Sequence, residues 1–414
     1  MSSEVRLGLR ANAGQFALLV ALNALVGAMV GLERSVLPLV GEQEFGLRST
    51  TAILAFVVAF GAAKAVTNLA AGALADRFGR KRLLVAGWHV ALPVPLLIGL
   101  APSWWFVVAA NVLLGVNQGL AWSMTVVMKI DLAGPRRRGL ALGFNEAAGY
   151  LGVATAAFAS GVLAATFAPR TVVWVGAALV AAVGLVVSVI LVRDTGAHVE
   201  LEQGGAGGPA VGFRAAFADT SFRDPVLRAC SQAGLVNNLN DALAWGLAPL
   251  YLAANGSGVR EIAIVAAVYP VVWGAGQLAT GWLSDYIGRK PLIAGGMLVQ
   301  ALGLGLLVAG GGSFSPSVAA AILLGVGTAM VYPTLIAAVS DATQPRERAR
   351  AVGVYRFWRD LGFVVGALVA GLAADIASLE TAILVVTALT AASGLAVLGT
   401  RWPARQRLQP ARAG

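Results

Sequence analysis

The sequence is poor in charged residues, in cysteine and in histidine. Asp, Glu, Lys and Arg make up 12% of its 414 residues, against about 25% in ordinary soluble domains. This deficit excludes a soluble globular protein and a disordered chain. Cys230 is the single cysteine, so neither an intrachain disulfide nor a cysteine-based metal cluster can form. Two histidines, His89 and His198, are too few for a histidine-rich metal site, and we expect no metal and no cofactor.

Apolar residues make up most of the chain instead. They account for 58% of it, and the mean hydropathy is +0.78. A membrane-spanning helix needs roughly 20 mostly apolar residues, so this content is enough for about twelve spans. The pattern predicts an all-α membrane protein with twelve transmembrane helices. The predicted spans are 14–40, 50–74, 83–101, 104–128, 140–166, 171–192, 229–254, 260–283, 291–310, 316–339, 350–374 and 380–400.

Basic residues collect on one side of these spans. Most of the 30 lysines and arginines fall on the side that holds both termini, and Arg48, Arg170 and Arg260 fall on the other. The positive-inside rule therefore predicts a multi-pass protein of the cytoplasmic (inner) membrane with both termini cytoplasmic. The net charge of +10 is explained mainly by these cytoplasmic lysines and arginines, and we expect no binding to nucleic acid. The first span is too long for a cleavable signal, so we expect it to remain.

The chain divides into two similar halves. Residues 193–228 form the longest polar stretch, with a Gly-rich piece at 204–208 that is typical of a flexible linker. Six spans precede it in residues 1–192, and six follow in residues 229–414. The halves match at an offset near 210 residues, which repeats Asp131, Pro135 and Arg138 as Asp341, Pro345 and Arg348. Duplicated parallel units of this kind are a transporter plan, with the substrate site between the halves near the midplane.

The loop after the second span recurs after the eighth. The two copies are GALADRFGRK, from Gly72 to Lys81, and GWLSDYIGRK, from Gly281 to Lys290. Their first glycines allow close helix packing, their aspartates lie near helix ends where dipoles and basic partners meet, and their second glycines permit a tight turn. The candidate gating residues are Gly72, Asp76, Arg77, Gly79, Arg80, Lys81, Gly281, Asp285, Gly288, Arg289 and Lys290.

With this doubled motif the sequence resembles the major facilitator superfamily over nearly its whole length. The resemblance implies two pseudo-symmetric six-helix bundles that rock to give alternating access. It also implies that the loop motif stabilises the outward-facing state through a charge relay between helices, although a simple cytoplasmic anchor is the alternative. Drug–proton antiporters of the family carry an arginine where Asn111 stands here and a Gly-Pro pair on the fifth helix, which this chain lacks. Both departures count against a standard multidrug antiporter.

Ionisable residues inside the spans are the strongest candidates for a substrate site. Each costs roughly 2.5–3.5 kcal/mol at a helix centre, so it must face a cavity or another charge. In the eleventh span Arg356, Arg359 and Asp360 share one face, with Tyr355 one turn before Arg359. This face predicts an anion site or a proton relay, and an Arg356–Asp360 pair within the helix is the alternative.

A charged pair across the halves is a further expectation. Lys64 and Asn68 share a face of the second span, and Lys64 lies at a depth similar to that of Asp360. We therefore predict a Lys64–Asp360 ion pair, which leaves Arg359 to hold a substrate anion. These depths are estimated to within about one helical turn, so Arg356 is the alternative to Arg359 as the residue that holds the substrate anion.

Further polar residues in the spans complete the predicted cavity. Asn237, Asn240 and Asp241 share a face of the seventh span, although hydrogen bonding between helices would also satisfy the amides. The other predicted cavity residues are Gln118, Trp122, Glu146 and Gln277. Glu146 and Asp241 are better proton carriers than Asp360, which lies beside two arginines.

These features predict a secondary active transporter that moves a small polar or anionic solute and is coupled to an ion. A proton-driven efflux pump for amphipathic drug-like compounds is the alternative. The spans contain no nucleophile–base pair, so we do not expect an enzyme. The expected partners are the lipid bilayer, a small-molecule substrate and protons, and we expect a monomer.

Overall fold

The computed structural model describes residues 5–34, 36–47, 50–164, 166–203 and 212–402, and within these ranges it consists of helices joined by short turns, with no strand. Twelve long helices cross the molecule. They are α1 (Ala13–Arg34), α2 (Thr50–Phe78), α3 (Arg80–Gly99), α4 (Trp104–Ala133), α5 (Arg138–Ala164), α6 (Pro169–Ile190), α7 (Pro225–Ala242, extended through Leu243–Leu247 and Ala248–Ala254), α8 (Val259–Ile287), α9 (Arg289–Ala309), α10 (Phe314–Asp341), α11 (Arg348–Ile376) and α12 (Leu379–Gly399).

Eleven of these helices are long and apolar enough to cross a membrane. The remaining one, α7, carries Asn237, Asn238, Asn240 and Asp241 within a few residues, which lowers its hydropathy. Its middle segment, Leu243–Leu247, is π-helical, a local widening that is common at functional sites. The predicted span at 229–254 is therefore present as an interrupted helix.

Several helices extend about one turn beyond the predicted spans on the side of the two repeated loops, called the motif side below. Helix α2 continues to Phe78 and α8 to Ile287, while α5 starts at Arg138 and α11 at Arg348. The apolar runs stop at the first charge, whereas backbone hydrogen bonding continues until a residue turns the chain. Asp76 and Asp285 therefore lie inside helices rather than in loops.

Helices α1–α6 pack as one bundle and α7–α12 as another, and α2 contacts α11 while α5 contacts α8 between them. Two linker helices, Gly196–Gln203 and Phe213–Ala218, lie between the bundles in the chain. The predicted two-bundle architecture is confirmed. The boundaries 1–192, 193–228 and 229–414 stay a proposal, and the predicted flexible piece 204–208 and Arg48 lie outside the described residues.

The bundles approach each other most closely on the motif side. A Cβ added to Gly72 would lie 2.3 Å from the carbonyl oxygen of Ala349, and one added to Gly281 would lie 2.5 Å from that of Gly139. In the opposite half of α2, a Cβ at Gly61 would meet nothing within 4 Å. Only glycine permits such close backbone contact, so these two positions allow the bundles to meet on the motif side.

Candidate functional site

Helix α11 carries two buried arginines into the middle of the molecule, and they have different surroundings. Arg359 donates from Nε and from a terminal nitrogen to Asp360 Oδ1 at 2.8 and 2.6 Å, and its guanidinium lies 5.1 Å from the Tyr332 ring centroid. Arg356 is 0% exposed, and none of its three guanidinium nitrogens has a hydrogen-bond partner among the described residues. Arg359 is thus paired with a carboxylate, whereas the guanidinium of Arg356 has no direct hydrogen-bond partner in the described residues.

The predicted Lys64–Asp360 pair is wrong. Asp360 Oδ2 accepts a hydrogen bond from Asn68 Nδ2 at 2.5 Å, while the Lys64 ammonium lies over the rings of Trp122 and Phe60, at 5.4 and 5.7 Å. The cross-bundle contact is therefore made one helical turn away from the predicted residue. Nor do Arg356 and Asp360 pair in the described structure, because Arg359 and Asn68 hold both carboxylate oxygens.

Helix α5 places a carboxylate on the other bundle. Glu146 is 0% exposed, and its Oε1 accepts from Asn145 Nδ2 at 2.7 Å and from Trp122 Nε1 at 3.4 Å. Its Oε2 has no hydrogen-bond partner among the described residues. Trp122 and Glu146 thus contact each other, as expected of residues that line one site. Gln118 instead donates to the Val26 carbonyl at 2.7 Å, which is a contact within the first bundle.

Aromatic side chains from both bundles meet beside these charges. Tyr150 of α5 lies 4.2 Å from Trp273 of α8 and 5.8 Å from Trp122, measured between ring centroids. Its hydroxyl donates to Tyr332 Oη of α10 at 3.0 Å. The predicted Gln277 is buried, with no hydrogen-bond partner for its side chain in the described ranges. Tyr150 and Tyr332 were not predicted as site residues, because a tyrosine in an apolar span cannot be told from a packing residue by sequence.

Asn237 and Asn240 of α7 form hydrogen bonds to neighbouring helices of the second bundle. Gln300 of α9 donates to Asn237 Oδ1 at 3.0 Å and accepts from Asn240 Nδ2 at 2.8 Å. Thr390 of α12 donates to Asn240 Oδ1 at 2.7 Å. Both asparagines therefore join α7, α9 and α12 inside the second bundle, which is the interhelical bonding given above as the alternative to a cavity role.

Asp241 has a different environment from its neighbours. It is 1% exposed and accepts a hydrogen bond from the Tyr269 hydroxyl. That hydroxyl also lies 3.3 Å from Thr328 Oγ1. Within the described structure no lysine or arginine pairs with the Asp241 carboxylate, unlike Asp360.

The repeated loops join the two bundles on the motif side. Asp76 of α2 pairs with Arg350 of α11 at 2.6 Å. Asp285 of α8 accepts from the backbone N–H groups of Gly139 and Leu140 at 3.0 Å each, where the start of α5 favours a negative charge. Asp76 and Asp285, the two candidate gating aspartates, thus each contact the opposite bundle, as a charge relay between helices would require.

Repeat-related residues make a second set of cross-bundle contacts. Arg138 of α5 pairs with Asp341 of α10 at 2.8 Å, and Arg348 of α11 pairs with Asp131 of α4 at 3.2 Å. The sequence comparison identified these four residues only as matching positions. Their pairing follows from the packing of one bundle against the other, which the repeat alone does not show.

The linker contributes a carboxylate to the same network. Glu202, in the linker helix Gly196–Gln203, accepts from Arg348 at 2.8 Å and also from Arg138. It therefore joins both bundles, a role that the sequence did not suggest. Burial lowers the pKa of the nearby His198, an effect that Asp131 opposes, and this direction disfavours a positive charge on the imidazole.

The remaining motif residues divide into three groups. Arg80 pairs with Asp131 at 3.4 Å and Arg289 with Asp341 at 2.9 Å, so both belong to the network. Gly79 and Gly288 have φ of +87° and +95°, which confirms the predicted tight turns. In contrast, Arg77, Lys81 and Lys290 make no cross-bundle contact in the described structure. The Arg77 guanidinium lies over Phe78, and Lys81 Nζ donates to Val189 O within the first bundle.

Comparisons with known proteins agree with this architecture. The sequence model of the Major Facilitator Superfamily matches residues 16–238 and 230–413. The 3-(3-hydroxy-phenyl)propionate transporter of Escherichia coli is 29% identical over 73% of this chain and 73% of its own length. A probable 4-methylmuconolactone transporter of Cupriavidus pinatubonensis is 27% identical over 55% of this chain, and the match spans 53% of that relative's length.

A solved structure shows the same fold. The human organic anion transporter MFSD10 superposes with a TM-score of 0.71 at 18% identity, over 93% of this chain and 99% of that one. Family and fold indicate a multi-pass membrane transporter rather than an enzyme. The chain belongs to the major facilitator superfamily.

Proposed function

We propose that this transporter carries a small organic carboxylate across the cytoplasmic membrane by alternating access, coupled to protons, with the motif side and both termini cytoplasmic. The observation that carries the proposal is Arg356, a fully buried guanidinium without a hydrogen-bond partner in the described ranges. It lies eight residues into α11, or ~12 Å from the motif-side end of that helix. A buried charge is costly unless it is paired, and a bound anion would supply the partner.

Guanidinium chemistry favours a carboxylate as that anion. Arginine presents a planar fork of donors that matches the two carboxylate oxygens. The rings of Trp122, Tyr150, Trp273 and Tyr332 pack together next to Arg359 and Glu146, and they suit a flat, apolar carbon skeleton. A substrate of this type agrees with the aromatic acid that the Escherichia coli relative is named for. The cationic centre favours this reading over efflux of amphipathic drug-like compounds.

Arg356→Gln is expected to weaken carboxylate binding at least tenfold, because hydrogen bonds to a charged group contribute about 1.5–3 kcal/mol. Arg356→Lys should be intermediate, since lysine keeps the charge and loses the fork. Binding of 3-phenylpropionate and of its neutral amide is measured by tryptophan fluorescence, using Trp122 and Trp273. The exposed Arg228→Gln serves as the control. Equal affinity for acid and amide, or an unchanged affinity in Arg356→Gln, would overturn the proposal.

We further propose that Asp241 carries the coupling proton. An unpaired buried charge is costly, which favours the protonated form of a buried carboxylate that has no cationic partner. Asp241 accepts a hydrogen bond from the neutral Tyr269, whereas Asp360 accepts from the cationic Arg359. Asp241→Asn is therefore expected to abolish accumulation driven by a pH gradient while substrate exchange without a gradient continues. Proteoliposomes measure both activities, with the surface variant Asp219→Asn as control. Full gradient-driven accumulation in Asp241→Asn would contradict this assignment.

A further inference from the structure

Glu146 and Arg356 occupy equivalent positions in the two halves. They are 210 residues apart, the same offset that relates Gly143 to Gly353, and they lie on the equivalent helices α5 and α11. Each is 0% exposed. Opposite charges therefore lie on either side of the symmetry axis between the bundles, where a transported molecule must pass.

These two residues do not neutralise each other. In the described ranges neither Glu146 Oε2 nor any guanidinium nitrogen of Arg356 has a hydrogen-bond partner. Contacts between the bundles nevertheless bring them near each other. Arg359, one turn from Arg356 on α11, has its guanidinium 5.1 Å from the Tyr332 ring centroid. Tyr332 accepts a hydrogen bond from Tyr150, one turn from Glu146 on α5. Both sets of unpartnered atoms are more than nine-tenths buried, one set in each bundle, so one small molecule can satisfy both.

The orientation of the Glu146 carboxylate is set by its neighbours. Asn145 Nδ2 and Trp122 Nε1 both donate to Oε1, which leaves Oε2 as the free acceptor. Trp122 and Tyr150, one turn along α5 from Glu146, pack against each other at 5.8 Å. The free acceptor thus lies beside an aromatic wall, and a substrate that reaches it must present a hydrogen-bond donor.

We propose, building on the carboxylate transport proposed above, that the substrate is a hydroxylated aromatic carboxylate. Its carboxylate binds Arg356, and its hydroxyl donates to Glu146 Oε2. A hydroxyl fits better than an ammonium group, because Lys64, Arg356 and Arg359 already place three cations in this centre against the carboxylates of Glu146 and Asp360. A molecule held in this way joins α5 of one bundle to α11 of the other.

Glu146→Gln gives a sharp test of the hydroxyl contact. Because Asn145 and Trp122 need an acceptor, the glutamine carbonyl oxygen takes the place of Oε1, and its NH₂ group then takes the place of Oε2. The variant therefore offers the substrate a donor where the natural protein offers an acceptor. A hydroxyl that prefers to donate loses its partner, and a methyl ether, which can only accept, gains one.

The experiment measures affinities by tryptophan fluorescence for 3-phenylpropionate, its three ring-hydroxylated isomers and their methyl ethers. We expect the natural protein to bind one hydroxylated isomer at least tenfold more tightly than both 3-phenylpropionate and the matching ether. In Glu146→Gln the preference for the hydroxyl should fall below threefold, and the ether should bind more tightly than in the natural protein. Glu146→Asp, which keeps an acceptor, should retain part of the preference if Glu146→Gln does not fold.

The outcomes separate this inference from the proposed function. If every acid binds with equal affinity, or if the hydroxyl preference survives in Glu146→Gln, Glu146 does not recognise a hydroxyl, and carboxylate binding at Arg356 still stands. If no acid in the panel binds the natural protein while neutral compounds do, carboxylate transport fails and the inference fails with it.

Discussion

Arg348→Ala is expected to hold the transporter open on the motif side and to reduce transport by roughly 100-fold. Arg348 is 0% exposed and pairs with Asp131 and Glu202. Removing one member of a buried ion pair costs ~3–5 kcal/mol, and this cost falls only on the state in which the pair is buried. A shift of ~3 kcal/mol between two states changes their ratio by about 100-fold.

A cysteine reporter measures this opening. Ser340 is 0% exposed, and its hydroxyl bonds within its own helix, to Ile336 O. Cysteine at this position, in a Cys230→Ser background, should react faster with an impermeant maleimide when Arg348→Ala is added. The control is Arg77→Ala, because Arg77 is exposed and makes no cross-bundle contact in the described structure. Unchanged labelling together with normal transport would remove the gating role of the network.

Asp360→Ala is expected to be strongly destabilising. The change leaves the buried Arg359 without its two hydrogen bonds and leaves Asn68 Nδ2 without its acceptor. Lys64 and Arg356 then add uncompensated positive charge. An unpaired buried charge of this kind costs ~3–5 kcal/mol, which should appear as a clear fall in melting temperature of the purified protein in detergent.

A double-mutant cycle identifies the partner of Asp360. Arg359→Ala combined with Asp360→Ala should be less destabilising than Asp360→Ala alone, because the double change removes both charges. The coupling energy between Lys64→Ala and Asp360→Ala should be much smaller than that between Arg359→Ala and Asp360→Ala, because the Lys64 ammonium lies over Trp122 and Phe60. Additive effects at positions 359 and 360, or strong coupling between 64 and 360, would refute the pairing in the structure.

The helices were predictable because the bilayer imposes a simple rule. Each span needs one long run of apolar residues, and charge or Gly/Pro punctuates the runs. The same rule predicted the span at 229–254, although α7 carries asparagines and Asp241. The helix ends were less accurate, because α2 and α8 continue through Asp76 and Asp285 to the glycines that turn the chain.

The pairing of charges was much harder to predict than their presence. The depths of Lys64 and Asn68 along their helix differ by one turn, ~5 Å, which equals the error of a depth estimated from sequence. The structure selects Asn68 as the cross-bundle partner of Asp360, and no sequence pattern distinguishes the two. Glu202 was missed for another reason, because a carboxylate in a polar linker has the composition of an ordinary solvated residue.

The paired contacts Arg138–Asp341 and Arg348–Asp131 have the form of an isologous interface, in which residue i of one copy contacts residue j of the other and the reverse. Two identical six-helix units, each carrying one such aspartate and one such arginine, would therefore bind each other through two equivalent ion pairs. After the halves are joined in one chain, each bridge can change separately. The two repeated aspartates already differ in this way, because Asp76 pairs with the Arg350 side chain whereas Asp285 accepts from backbone N–H groups. The strength of closure can therefore be set separately at each of the two contacts.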